Sequence, residues 1–96
     1  ICGQNHVTIG ALYALRALGL EQRIALVGFD DIPLGGLVRP GVTVVAQDPV
    51  ALGRHAAELL FARLAGDDSP PRRIVVPTRL IERGSGEIVS PLRSRR

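Results

Sequence analysis

Two short apolar runs confine this chain to a small set of folds. "RIALVG" (Arg23–Gly28) and "VTVVAQ" (Val42–Gln47) are apolar at consecutive rather than alternate positions. Both are too short for a stable helix, so they read as strands covered on both faces, as in a parallel sheet. Helix signals lie around them. "VTIGALYALRALG" reads as a helix from about Val7 to Leu18, opened by Asn5 or His6 and closed by Gly19 at the C′ position. "DPVALGRHAAELLFARLAG" has Asp48 as a cap, Pro49 at the first helical position and Gly66 as a stop. "ICGQN" reads as the end of a strand and a turn, and "RIVVP" and "TRLIERG" as two short strands split by Pro77. The order is strand, helix, strand, long loop, strand, helix, strand. That alternation predicts an α/β fold with a mainly parallel sheet.

The two helices differ in how they can be covered. Around the first, only Thr8 and Arg16 interrupt the apolar surface. A helix apolar on all sides must be buried on several, so a second surface, from a partner subunit or another part of the same protein, is expected to meet it. The second helix is amphipathic. Leu52, Ala56, Leu59, Leu60 and Leu64 form a stripe widened by Ala57 and Phe61, with Arg54, His55, Glu58 and Ala62 opposite. His55 has no His, Cys or carboxylate at ligand spacing and reads as a surface residue, so no metal site is expected.

With 96 residues, of which three are aromatic, the chain is one domain or a piece of one, and its core must come from Leu, Val, Ile and Ala. Residues 1–71 hold five Arg against seven acids, a net of −2, and residues 72–96 hold seven Arg against two Glu, a net of +5. The basic character therefore sits at the end of the chain, where "PLRSRR" reads as a solvated tail; it lacks the interleaved aromatics and recognition helix of a nucleic-acid site. The one cysteine, Cys2, lies in an apolar start and reads as a core thiol. No apolar run approaches the roughly 20 residues that span a membrane, and no signal peptide opens the chain, so a cytoplasmic location is the default expectation. An opening without Met, inside a strand, suggests a fragment.

"VGFDDIPLGG" places two carboxylates, Asp30 and Asp31, at a strand exit. In open α/β sheets, ligands bind beyond the carboxyl ends of the strands. Asn5, after the first strand, and Asp30, after the second, would share one rim if those strands are neighbours. An amide, a carboxylate and the Phe29 ring suit a ligand with hydroxyl groups. Asp31 reads as a turn former bonded to the backbone of the following loop. For Asp30, residue chemistry supports a turn role and a ligand role equally. Adjacent carboxylates diverge and make a poor acid–base pair. There is no phosphate-binding glycine loop and no nucleophile elbow, so no enzyme activity, no catalytic residue and no cofactor is expected.

The ordered set of motifs resembles the end of the effector-binding domain of the lac-repressor-like family of bacterial transcription regulators. Asn5, "IGALYALRALGL", "LVGFDDIPLGGLVRPGVTVVAQDPVALGRHAAELLFARLAG" and "IVVPTRLIERGSG" carry the likeness over about residues 1–86. The resemblance implies a periplasmic-binding-protein-like fold, of which this chain would be most of the second lobe. Residues 1–86 would then be a partial effector-binding and dimerisation lobe, and 87–96 a basic flexible tail. It implies a small-molecule effector, a sugar or nucleobase, contacted by Asn5, Phe29, Asp30 and, more weakly, Gln47. It also implies a homodimer using the first helix and the 32–40 loop, with Leu12, Leu34 and Leu37 at the interface. Operator DNA would be bound only through a headpiece that this chain lacks. Two departures stand out: His6 occupies a position where the family has Asp, and "GLEQRIAL" is a shorter connection than usual. A solute-binding protein of a transport system shares the fold and is the competing expectation.

Overall fold

A computed structural model describes residues 1–90. The elements are α1 (Asn5–Ala17), β1 (Val27–Phe29), β2 (Thr43–Ala46), α2 (Pro49–Leu64) and β3 (Arg79–Ile81), followed by a 3-10 turn at Ser85–Glu87. The chain divides into two compact units: residues 1–46 with the segment from Arg79 onward, and Gln47–Thr78.

The first unit holds the sheet, in the order β1-β2-β3. β1 and β2 run parallel, with Val27 opposite Thr43 and Phe29 opposite Val45. β3 is antiparallel to β2, with Val44 opposite Ile81 and Ala46 opposite Arg79. The expected opening strand is reduced to one parallel bridge between Cys2 and Gly28. The sheet is therefore mixed, parallel from Cys2 to β2 and antiparallel at β3. The core is small: Cys2, Leu26, Ile32, Val42, Val44 and Ala46 are buried, with Ile9, Leu12, Leu15, Val38 and Ile81 packed against them. Cys2 is a buried free thiol, as its apolar context suggests.

Helix α1 approaches the sheet at Gly28. A Cβ there would lie 2.6 Å from Thr8 Oγ1, and Thr8 is fully buried with its hydroxyl donating to the Gln4 carbonyl at 3.1 Å. The helix begins two residues before Val7, with Gln4 in the cap position and no side-chain capping bond. Its end follows the glycine signal. Gly19 takes φ +65, its N–H donates to the Arg16 carbonyl, and the Leu20 N–H donates to the Leu15 carbonyl; this is the paired pattern that satisfies orphan carbonyls at a helix terminus. Thr8 is the one buried residue of α1; Val7, Tyr13 and Leu18 are exposed. One face meets the core and nothing in the described chain covers the rest.

The run "RIALVG" yields a shorter strand than its composition suggests. The N–H groups of Arg23 and Ile24 both donate to the Leu20 carbonyl in a turn, which delays β1 until Val27. The entry ends of β1 and β2 are tied together by the segment after β3. Ser85 is buried; its hydroxyl accepts from the Thr43 N–H at 2.9 Å and donates to the Leu26 carbonyl at 2.7 Å. The Thr43 hydroxyl in turn donates to the Glu87 carboxylate at 2.7 Å and accepts from the Arg83 and Gly86 N–H groups, both at 3.1 Å. Glu87, read from sequence as the first residue of the tail, is thus bonded into the fold; the tail from residue 91 lies outside the described residues.

In the second unit, α2 forms as its punctuation predicts. Asp48 accepts from the Ala51 N–H at 3.0 Å, Pro49 occupies the first turn, and Gly66, at φ +104, closes the helix. No residue of α2 is buried, so its apolar stripe lies open, with Leu60, Phe61 and Leu64 more than half exposed. "RIVVP" is not a strand. Ile74 and Val75 are exposed, and Pro77 removes a ladder donor from the stretch. Its β-like composition finds no partner strand.

Candidate functional site

The bridge at Cys2 decides how the rim is assembled. The Cys2 N–H donates to the Val27 carbonyl and the Phe29 N–H donates to the Cys2 carbonyl, both at 2.9 Å. Cys2 therefore lies beside Gly28 in parallel orientation. Asn5 follows one of these neighbouring segments and Asp30 the other, and both leave from the same end of the sheet. Asn5 is half-buried as the first residue of α1, and its side-chain carbonyl accepts from the His6 N–H at 2.9 Å. His6 is exposed. Phe29 ends β1 and is half-buried opposite Val45.

Asp30 is half-buried and sits at φ +69, while its N–H donates to the Val45 carbonyl at 2.8 Å. That bond extends the β1–β2 ladder by one residue, and the left-handed backbone then turns the chain out of the sheet. Asp and Asn adopt this conformation more readily than other residues with a side chain. The backbone of Asp30 thus both extends the ladder and turns the chain out of the sheet at the rim. Gln47 is half-buried and opens the second unit.

Asp31 follows the loop-forming expectation, with an addition. Its Oδ1 accepts from the Ile32 N–H at 2.8 Å. The Arg83 guanidinium also grips the carboxylate with two bonds, Nη1 to Oδ1 at 2.7 Å and Nη2 to Oδ2 at 2.9 Å. This fork holds the Asp31 carboxyl below its ordinary value, with burial opposing and the Ile32 N–H and the charges of Arg83 and Arg79 assisting. The same contact raises Arg83. Arg83 also donates to the Val42 carbonyl at 3.2 Å. Arg83 lies in the "IVVPTRLIERGSG" stretch, where the sequence assigns it no role. Nothing local marks it, because its carboxylate partner is 52 residues away.

Beside this loop runs an apolar groove of about 330 Å³ between Ile9, Leu12 and Tyr13 of α1 and Ile32, Leu34 and Val38 of the loop. Leu34 and Leu37 are 69% and 75% exposed, and Leu34 is held at φ +63. Leu12 is half-buried and packs on the core as well as lining the groove. Among the described residues, no group of three or more His, Cys, Asp or Glu is arranged to hold a metal, and no helix is long and apolar enough to cross a membrane.

A family model of the periplasmic binding protein-like domain matches residues 1–86. The chain belongs to this family. Among the relatives of this periplasmic-binding-protein-like domain is the HTH-type transcriptional regulator PtxS of Pseudomonas aeruginosa, 42% identical over 80 residues, which are 81% of this chain and 24% of the relative. The HTH-type transcriptional repressor PurR of Escherichia coli is 34% identical over 86 residues, 88% of this chain and 25% of the relative. The crystal structure of a LacI family transcriptional regulator from Arthrobacter sp. FB24, in complex with lactose, superposes with a TM-score of 0.68 at 34% identity, covering 88% of this chain and 34% of that one. The domain thus spans about a quarter of the length of the curated relatives it matches. The lac-repressor-like resemblance drawn from the motifs agrees with these matches.

Proposed function

We propose that this chain is the effector-sensing and self-association part of a bacterial DNA-binding transcription regulator, a repressor that answers a small polar molecule, a sugar. Asn5 and Asp30 hydrogen-bond the ligand, Phe29 covers an apolar edge of it, and Gln47 is a fourth contact. The observation that carries the reading is the parallel Cys2–Gly28 bridge, which delivers an amide and a carboxylate to the same end of the sheet. The likeness to a regulator bound to lactose supports a sugar as the ligand class. The regulators among the matched relatives favour this reading over a transport solute-binding protein. A cytoplasmic homodimer follows, with Leu12, Leu34 and Leu37 at the interface and operator DNA bound by a headpiece outside this chain.

Calorimetric titration of the intact regulator with a sugar panel that begins with lactose tests the ligand site. A charge-assisted hydrogen bond contributes on the order of 1.5–3 kcal/mol, so Asp30→Asn should weaken binding roughly ten- to a hundredfold. Asn is the informative substitution because it tolerates the left-handed backbone; Ala would add a conformational cost to the loss of charge. Operator binding without ligand should be unchanged. An Asp30→Asn regulator that binds its sugar as tightly as the parent removes Asp30 from the site.

A further inference from the structure

The loop from Asp31 to Val42 has no regular secondary structure, yet it is folded around a single side chain. The Arg83 guanidinium reaches both oxygens of Asp31 at one end of the loop and the Val42 carbonyl at the other. The loop backbone closes tightly on it. A Cβ on Gly35 would lie 2.9 Å from Arg83 Nη1, and one on Gly41 would lie 2.9 Å from the Arg83 carbonyl oxygen. With Arg83 inside, the loop completes its own bonds: the Leu37 N–H donates to the Leu34 carbonyl at 2.9 Å, and the Val42 N–H to the Gly35 carbonyl at 2.8 Å. On the outer side, Leu34 borders the groove and Leu37 protrudes.

We infer that Arg83 is a positioning residue for an interaction surface: by filling the interior of the 31–42 loop it holds Leu34 and Leu37 in the arrangement on which a second copy of this chain docks. This rests on the dimer reading above. A second copy fits because one face offers both an apolar groove and a projecting leucine. A two-fold contact requires such a patch, one that complements itself. The groove lining carries a single charge, Arg16, so it offers little to a strongly charged partner. A guanidinium is needed for the holding role, because its planar fork serves both Asp31 oxygens and the Val42 carbonyl, whereas an ammonium is a compact point charge.

The test uses the intact regulator and two readouts, sedimentation equilibrium and amide hydrogen exchange. Arg83→Ala should raise the dimer dissociation constant at least tenfold and speed exchange at the Leu37 and Val42 amides at least tenfold, with protection of the β2 strand retained. Arg83→Lys should move both readouts in the same direction, showing that the fork matters beyond the charge. Leu37→Asp should dissociate the dimer without loosening the loop amides. A loosened loop with unchanged dimerisation, or no change in either, overturns the inference. So does loss of protection throughout the sheet in both Arg83 variants, which would make Arg83 a general stabiliser. If the parent is a monomer, the dimer reading falls, and so does the docking role of Arg83; the loop amides then report only whether Arg83 orders the loop.

Discussion

The two ends of the β1–β2 pair treat their polar groups differently. At the entry end, Thr43 and Ser85 are almost fully buried and bonded to each other, to Leu26 and to Glu87. At the exit end, Asn5, Phe29 and Asp30 are half-buried, and Asp30 leaves the sheet through a left-handed turn. Burying a hydroxyl is tolerable only when its hydrogen bonds are made inside the protein, so the entry end holds the strands together. Side chains left half-open beyond a strand can exchange water for a ligand without disturbing the core. The same two strands thus have one end fastened and one end available.

The largest effect should come from undoing the fastened end. Ser85→Ala removes the acceptor of the buried Thr43 N–H and the donor to the Leu26 carbonyl. An orphaned buried donor costs about 1–3 kcal/mol. Urea unfolding of the intact regulator should show a loss of that size in the unfolding phase of this lobe, while sugar affinity per folded molecule stays near the parent value. A stability loss of less than half a kcal/mol, or a ligand defect as large as that of Asp30→Asn, would erase the distinction between the ends.

Gly28→Ala probes the connection between them. The new methyl group would meet Thr8 Oγ1 at 2.6 Å and Thr8 Cγ2 at 2.9 Å, so α1 must move outward. Overpacking of this kind costs about 1–3 kcal/mol. Because Asn5 begins that helix, the substitution should weaken ligand binding as well as stability, unlike Ser85→Ala. Stability loss with unchanged sugar affinity would mean that Asn5 does not depend on helix position.

Which parts of this were legible in the sequence follows from the range of the interactions. Asp48, Pro49, Gly19 and Gly66 act within one helical turn, and the helix ends they announce are where they were expected. Asn5 and Asp30 were legible as rim residues because a strand exit is recognisable from its apolar run. By contrast, Ser85 meets Thr43 across 42 residues, and Arg83 meets Asp31 across 52. Ser, Thr, Arg and Asp are common on any surface, so nothing at either end of such a pair marks the other. "RIVVP" failed for a related reason. Its residues favour a strand, but a strand requires a partner, and residue type does not say whether one is present.

The smallest expected effect is an acid-dependent loosening of the loop that joins the two ends. Asp31 is held below its ordinary carboxyl value, chiefly by the Arg83 fork. The unfolded chain therefore takes up this proton at a higher pH than the folded one. The stabilisation is complete above the unfolded value, near 3.8, and is lost as pH falls through the lowered folded value. The Asp31 side chain is 44% exposed, so solvent screens the pair and the contribution should stay below about 1 kcal/mol. Asp67, in the second unit, is also lowered, through bonds from Ser69. The measurement is thus the difference between parent and Asp31→Asn unfolding curves from pH 6 down to pH 2. The parent should be slightly more stable at the upper end, and the gap should close toward the lower end. A gap that stays constant with pH would mean that the fork contributes through loop packing alone, with no part played by the charge on Asp31.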